Sequence, residues 1–143
     1  MSQSFFNALF MGAKEPEGAR KVVKFVSYYG FITVALGIAL LFIPFEPLQV
    51  AIGKHFGSKW VFLGAAAVSY VCFFFMLKEK IWAPTVLLIL EVLDFIVGFQ
   101  ETGDFFDSFS ALPLLLYGSA LHSIHYLKKF EKESKEIATP EVE

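Results

Sequence analysis

The chain is almost without cysteine. Its one thiol, Cys72, sits in the apolar run "SYVCFFFML", which excludes an intrachain disulfide framework and a cysteine-rich zinc site. It also lacks a positive charge excess. Twelve basic residues against 14 acidic ones give a net charge of -2, so nucleic-acid binding has no electrostatic support. No G-x-S-x-G, P-loop, H-E-x-x-H or dinucleotide fingerprint occurs, and no polar stretch is long enough to house a soluble catalytic domain. The expectation is therefore a protein that is not an enzyme and holds no metal or cofactor.

What the chain has in abundance is apolar surface. Its 143 residues are 56% hydrophobic with 18 phenylalanines, and the mean hydropathy is +0.59. Soluble domains sit nearer ~45–50% apolar. Lipid is the solvent that suits such a chain. Four stretches, Phe25–Ile43, Trp60–Leu77, Ile81–Phe99 and Phe109–Leu127, are long enough to cross a ~30 Å hydrocarbon core as helices. Backbone groups in lipid must be satisfied within the segment, which favours helix over strand. Pro44 and Pro47 end the first stretch, whereas Pro84 and Pro113 fall in first turns, where a missing N–H costs little. Trp60 and Trp82 mark span starts, as interfacial aromatics do. The predicted fold class is all-α: an integral membrane bundle of four transmembrane helices with an amphipathic N-terminal interfacial helix.

Basic residues orient this bundle. Lys14, Arg20, Lys21, Lys24, Lys78, Lys80, Lys128, Lys129, Lys132 and Lys135 fall on one side if both termini share it, leaving Lys54 and Lys59 on the other. The bias of Lys and Arg toward the cytoplasmic face then places both termini on the cytoplasmic or matrix-like side. An inner mitochondrial or bacterial inner membrane is the expected setting. Residues 1–24 read as an amphipathic segment and hinge, 25–127 as the bundle and 128–143 as a charged tail. Phe5, Phe6, Leu9 and Phe10 are expected on one buried face, lying along the membrane surface or on a partner. This segment lacks the apolar core and cleavage site of a secretory signal, and its acid-free first 13 residues suit a transit peptide. "KEPEGARK" reads as the hinge, and "KKFEKESKEI" continues the fourth helix, with Glu131 and Lys135 spaced to pair.

Small residues mark the faces on which transmembrane helices approach closely. Gly30, Thr33 and Gly37 form such a stripe in the first span, Ala65, Ser69 and Cys72 in the second, and Ser119 and Ser123 in the fourth. The third span raises the chemical question. Its "LLILEVLDFIVGF" puts Glu91 and Asp94 on one stripe, roughly 15 and 20 Å from Ile81 at ~1.5 Å per residue. A carboxylate facing lipid at that depth costs roughly 2.5–3.5 kcal/mol even on a lenient scale, so this face is expected to turn inward.

Ser119 and His122 of the fourth span, with Tyr70 and Ser69 of the second, are the candidate partners; His125 belongs at the interface and His55 in a loop. Four readings apply to Glu91, Asp94, Ser119 and His122. They are an interhelical hydrogen-bond lock, a proton or cation pathway or ligand pocket, a metal site from Glu91, Asp94 and His122, and haem ligation. The duplicated Glu-x-x-His pattern of di-metal bundles is missing and the depths of the acids and His122 differ, while His122 and His125 share one helix, which ranks the metal site third and haem last. The expected function is a non-catalytic integral membrane subunit, with lipids and other membrane subunits as partners and no nucleic acid. The alternative is a small binding or transport protein that uses the Glu91/Asp94 face for a proton, cation or small ligand.

Overall fold

Pro16 begins the main body of the protein, because its fixed φ suits a first helical turn and its missing N–H needs no partner there. The computed structural model describes residues 5–43, 59–102 and 111–138. Over these, the chain forms five helices: α1 (Phe5–Met11), α2 (Pro16–Leu41), α3 (Lys59–Leu77), α4 (Trp82–Thr102) and α5 (Ala111–Ala138). No strand occurs among the described residues. The expected loops with Pro44, Pro47, Lys54 and His55 and with residues 103–110, and the last five residues, lie outside them.

The long helices pack in a ring in which α2 meets α3 and α5, and α4 meets α3 and α5. Among the described residues two helices are long and apolar enough to cross a membrane, namely α2 and the Trp60–Leu77 part of α3.

One end of the ring is tied together. Arg20 Nε lies 3.5 Å from Glu79 Oε1 in the α3–α4 turn. The Tyr126 hydroxyl donates to the Lys14 carbonyl at 2.6 Å, and Ala13, Ala19 and Leu127 form a small buried cluster beside it. Exposed i, i+4 pairs, Lys129 with Glu133 and Lys132 with Glu136, run along α5 beyond this point.

The α3–α4 turn shows why its ends close so tightly. Glu79 takes a left-handed conformation (φ 55). Its N–H bonds the Met76 carbonyl at 2.9 Å and the Lys80 N–H reaches back to Phe75 at 3.1 Å, which satisfies the last carbonyls of α3. Lys78 Nζ lies 4.5 Å from the centre of the Phe74 ring, against the same turn.

The core occupies this tied half. α2 contributes Val22, Val23 and Val26, α3 Cys72, Phe73 and Met76, α4 Ala83 and Leu87, and α5 Leu116, Ala120 and Ile124. Spacings of three and four keep each set on one helical face. A Cβ at Gly30 would overlap the Phe73 ring, so this glycine is what lets α2 and α3 approach.

One expectation about the amino-terminal region is corrected in part. Of the hinge expected at "KEPEGARK", residues 16–21 are the first turns of α2, since Pro16 begins a helix rather than interrupting one. The connection is instead Gly12 to Glu15, with Gly12 at φ +87. The expected apolar face of α1 divides within the isolated chain. Ala8 and Leu9 are buried and Phe5 packs against the core, while Phe6 and Phe10 are 66% and 63% exposed. With most of seven positions apolar, the pattern alone could not select a face, and the contacts with α2 and α5 decide it.

Candidate functional site: an acidic cavity among four helices

Beyond Gly30 the bundle opens. No residue of α2 between Gly30 and Leu41 is buried, and none of α4 with a described side chain is buried after Leu87. The opening is a cavity of about 750 Å³ lined by all four long helices. The small-residue stripes explain the volume. Gly30, Thr33 and Gly37 of α2 and Ala65, Ala66 and Ser69 of α3 all line it, and their short side chains leave space that larger ones would fill. Gly37 admits the Phe62 ring of α3, to which a Cβ there would come within 3.1 Å.

Glu91 and Asp94 form the acidic side. They lie one helical turn apart on α4 and both line the cavity, together with Leu90, Leu93 and Val97. Glu91 is half-buried and Asp94 is exposed within the isolated chain. Tyr117 and Pro113 complete the wall from α5, and Tyr29 from α2. The Tyr117 ring sits 6.0 Å from that of Phe73, which ties the floor of the cavity to the core below. Thr33 donates its hydroxyl to the Tyr29 carbonyl of its own helix at 2.9 Å, leaving an acceptor oxygen on the wall. Among the described residues the lining contains no Lys, Arg or His. Such a surface suits a cation, a proton or a donor-rich molecule of modest size.

The residues expected to meet the two acids divide into two groups. Ser69 lines the same cavity, as do Gly30, Gly37 and Ala65. Ser119 and His122 do not. Ser119 donates to the Leu9 carbonyl of α1 at 2.7 Å, and the His122 ring lies against Gly12. Both are engaged with the amino-terminal segment, at the tied end. Tyr70 packs its ring edge-on to Phe31, 4.6 Å away, and is not part of the lining. Among the described residues no group of three or more His, Cys, Asp and Glu side chains comes together as a metal site.

Tyr117, Tyr29 and Thr33 are the lining groups that sequence reasoning did not assign to the acids. Tyr117 could have been found from Pro113, four residues earlier and on the same helical face. Comparison of the chain with protein-family models, curated proteins and solved structures finds no match. The reading of the site therefore rests on its own geometry.

Proposed function

We propose that the protein is a non-catalytic integral membrane subunit, with α2, α3, α4 and α5 crossing the bilayer and both termini on its cytoplasmic or matrix-like side. One observation carries this reading: large apolar side chains face outward on every long helix. They include Ile32 and Leu36 of α2, Val68 and Phe74 of α3, Val92 and Ile96 of α4, and Leu112 and Leu115 of α5, each at least 40% exposed. A protein surrounded by water rarely leaves such a belt uncovered. The 21 residues of α4 would span about 31 Å at ~1.5 Å each, matching the ~30 Å hydrocarbon thickness. The ten-to-two division of basic residues supports the orientation, and the ties of Tyr126 to Lys14 and Arg20 to Glu79 bring the supporting segments to one end.

The test uses single cysteines at Lys14 and at Ser134 in a Cys72→Ala background, labelled in sealed vesicles with a reagent that cannot cross them. Both sites should label from the same side. Labelling from opposite sides would overturn the topology, and recovery of the chain in the soluble fraction without detergent would overturn the membrane reading. As a subunit, the protein should migrate in mild detergent as part of a larger stoichiometric complex. Migration as a lone monomer would contradict that role.

The cavity favours a second reading, a small binding or transport protein. Two carboxylates one turn apart in a weakly polar setting repel each other, and a shared proton or bound cation offsets that repulsion. The double substitution Glu91→Gln and Asp94→Asn separates the two. Amides keep the shape and hydrogen-bonding capacity but cannot titrate. A subunit role predicts normal assembly and retained activity of its host complex. Loss of a proton, cation or ligand response in a correctly assembled double mutant would promote the binding role.

A further inference from the structure

We propose that α1 is a wedge seated in the bilayer leaflet on the basic side, with Phe6, Phe10 and Met11 among the phospholipid acyl chains. The inference rests on the membrane reading above and goes beyond a helix lying on the membrane surface.

α1 reaches well below the basic end of the bundle. The Leu9 carbonyl accepts from Ser119, eight residues before Leu127 and thus ~12 Å along α5 from where the basic tail begins. At the other end of the segment, Lys14 is tied to Tyr126, next to that tail. The segment therefore runs inward from the basic end rather than across it. Gly12 makes this return path sterically feasible. Its φ of +87 is a conformation that side-chain-bearing residues rarely take, and a Cβ there would lie 2.8 Å from His122 Nε2.

The face that α1 leaves uncovered is apolar. Ala8 and Leu9 are buried against the bundle, while Phe6, Phe10 and Met11 are 66%, 63% and 77% exposed. The first 13 residues contain no Asp, Glu, Lys or Arg. Asn7 is the one polar side chain on the exposed face.

That face is also continuous with the outside of the bundle. Phe5 packs edge-on against Phe25 at 5.1 Å, and Phe25 stacks on Tyr29 at 6.3 Å. Phe25 and Tyr29 are themselves exposed at 42% and 39%. The outward face of α1 thus runs into the exposed apolar face of α2. One occupant, the acyl chains of the surrounding leaflet, covers both.

Site-directed spin labelling of the full chain in phospholipid vesicles tests this. Single cysteines replace Phe10, Ile96 and Lys132 in a Cys72→Ala background, and each nitroxide is probed with oxygen and with a water-soluble nickel chelate. Phe10 should resemble Ile96, with several-fold greater relative access to oxygen, and Lys132 should show the reverse. If Ile96 reads as lipid-exposed but Phe10 reads like Lys132, the wedge is wrong and the membrane reading stands. If Phe10 is shielded from both reagents, protein covers α1 and the lipid assignment fails. If Ile96 itself reads as water-exposed, the membrane reading falls and takes the wedge with it.

Discussion

The two halves of the bundle draw on the same apolar side chains, yet one is packed and the other is hollow. In the tied half, Val22, Val26, Phe73, Met76, Leu87 and Ile124 belong to one buried cluster, and the Phe73 ring fills the notch at Gly30. In the open half, Thr33, Gly37, Ala65 and Ser69 stand where comparable large residues would meet, and a cavity of about 750 Å³ results. The difference lies in what faces a small residue. At Gly30 the ring of Phe73 fills the space, so the glycine produces close packing. Across the open half the Phe62 ring meets Gly37, but Thr33, Ala65, Ala66 and Ser69 put only small side chains on the rest of the wall, and a gap remains. Small-residue stripes therefore do not by themselves mean close helix contact.

The largest expected effect would break the packed half. Phe73→Ala removes the ring that fills the Gly30 notch, and buried aromatic-to-alanine changes cost about 3–5 kcal/mol. Leu93→Ala, on the cavity wall and 52% exposed, should stay within about 0.5 kcal/mol. Unfolding midpoints of the two mutants in the same detergent compare the halves directly. Equal losses would show that the open half is as tightly packed as the other.

The amino-terminal latch comes next. Gly12→Ala should destabilise by about 1–2 kcal/mol from the left-handed backbone alone, with the contact at His122 adding to it. Adding His122→Ala should recover only the steric part. Complete recovery would show that the backbone conformation is unstrained. Limited proteolysis after α1, compared between the single and double mutants, reads the outcome.

The α3–α4 turn is expected to respond to residue shape more than to charge. Glu79→Val places a β-branched residue in the left-handed region and should cost about 1–2 kcal/mol. Glu79→Gly relieves the backbone while losing the Arg20 pair, itself within ~1 kcal/mol at such exposure, and should be nearly neutral. A Gly mutant as damaged as the Val mutant would show that the ion pair matters more to the turn than the backbone conformation does.

The smallest effect is a pH dependence. The Lys21 ammonium, hydrogen-bonded to Glu17, holds that carboxyl below its ordinary value of 4.5. A lowered folded pKa contributes stability above the unfolded value, and that contribution disappears as pH falls through the folded one. Lys21→Gln should therefore lower stability slightly at neutral pH and flatten the acid limb below about pH 4.5, so that mutant and parent converge at low pH. A loss confined to acid pH, with neutral pH unchanged, would have the wrong sign.

Much of the helical framework was legible in the sequence. The four long apolar stretches match α2 to α5 to within a few residues, except where α2 begins earlier and α5 continues along the charged tail. Pro84 and Pro113 fall near helix starts as their chemistry requires. The acidic half of the site was also legible, since Glu91 and Asp94 share a stripe that any fold had to place. Their neighbours were not. Ser119 lay at a suitable depth, but depth along one helix cannot reveal that α1 folds back and takes its hydroxyl. The cavity was hidden for a related reason: a stripe of small residues looks the same whether its counterpart is Phe73 or Ala65.

The difference between the halves can be measured by asking which of two serines a small cationic thiol reagent reaches once each is made cysteine. Ser69 lines the cavity, whereas Ser27 is fully buried in the tied half with its hydroxyl bonded to the Val23 carbonyl at 2.8 Å. In a Cys72→Ala background reconstituted in vesicles, Ser69→Cys should react with methanethiosulfonate ethylammonium while Ser27→Cys stays unmodified. Adding Glu91→Gln with Asp94→Asn should slow the Ser69→Cys reaction, because the carboxylates that attract the cation are gone. An unreactive Ser69→Cys, or equal reactivity at both sites, is incompatible with a bundle that is packed at one end and open to an acidic cavity at the other.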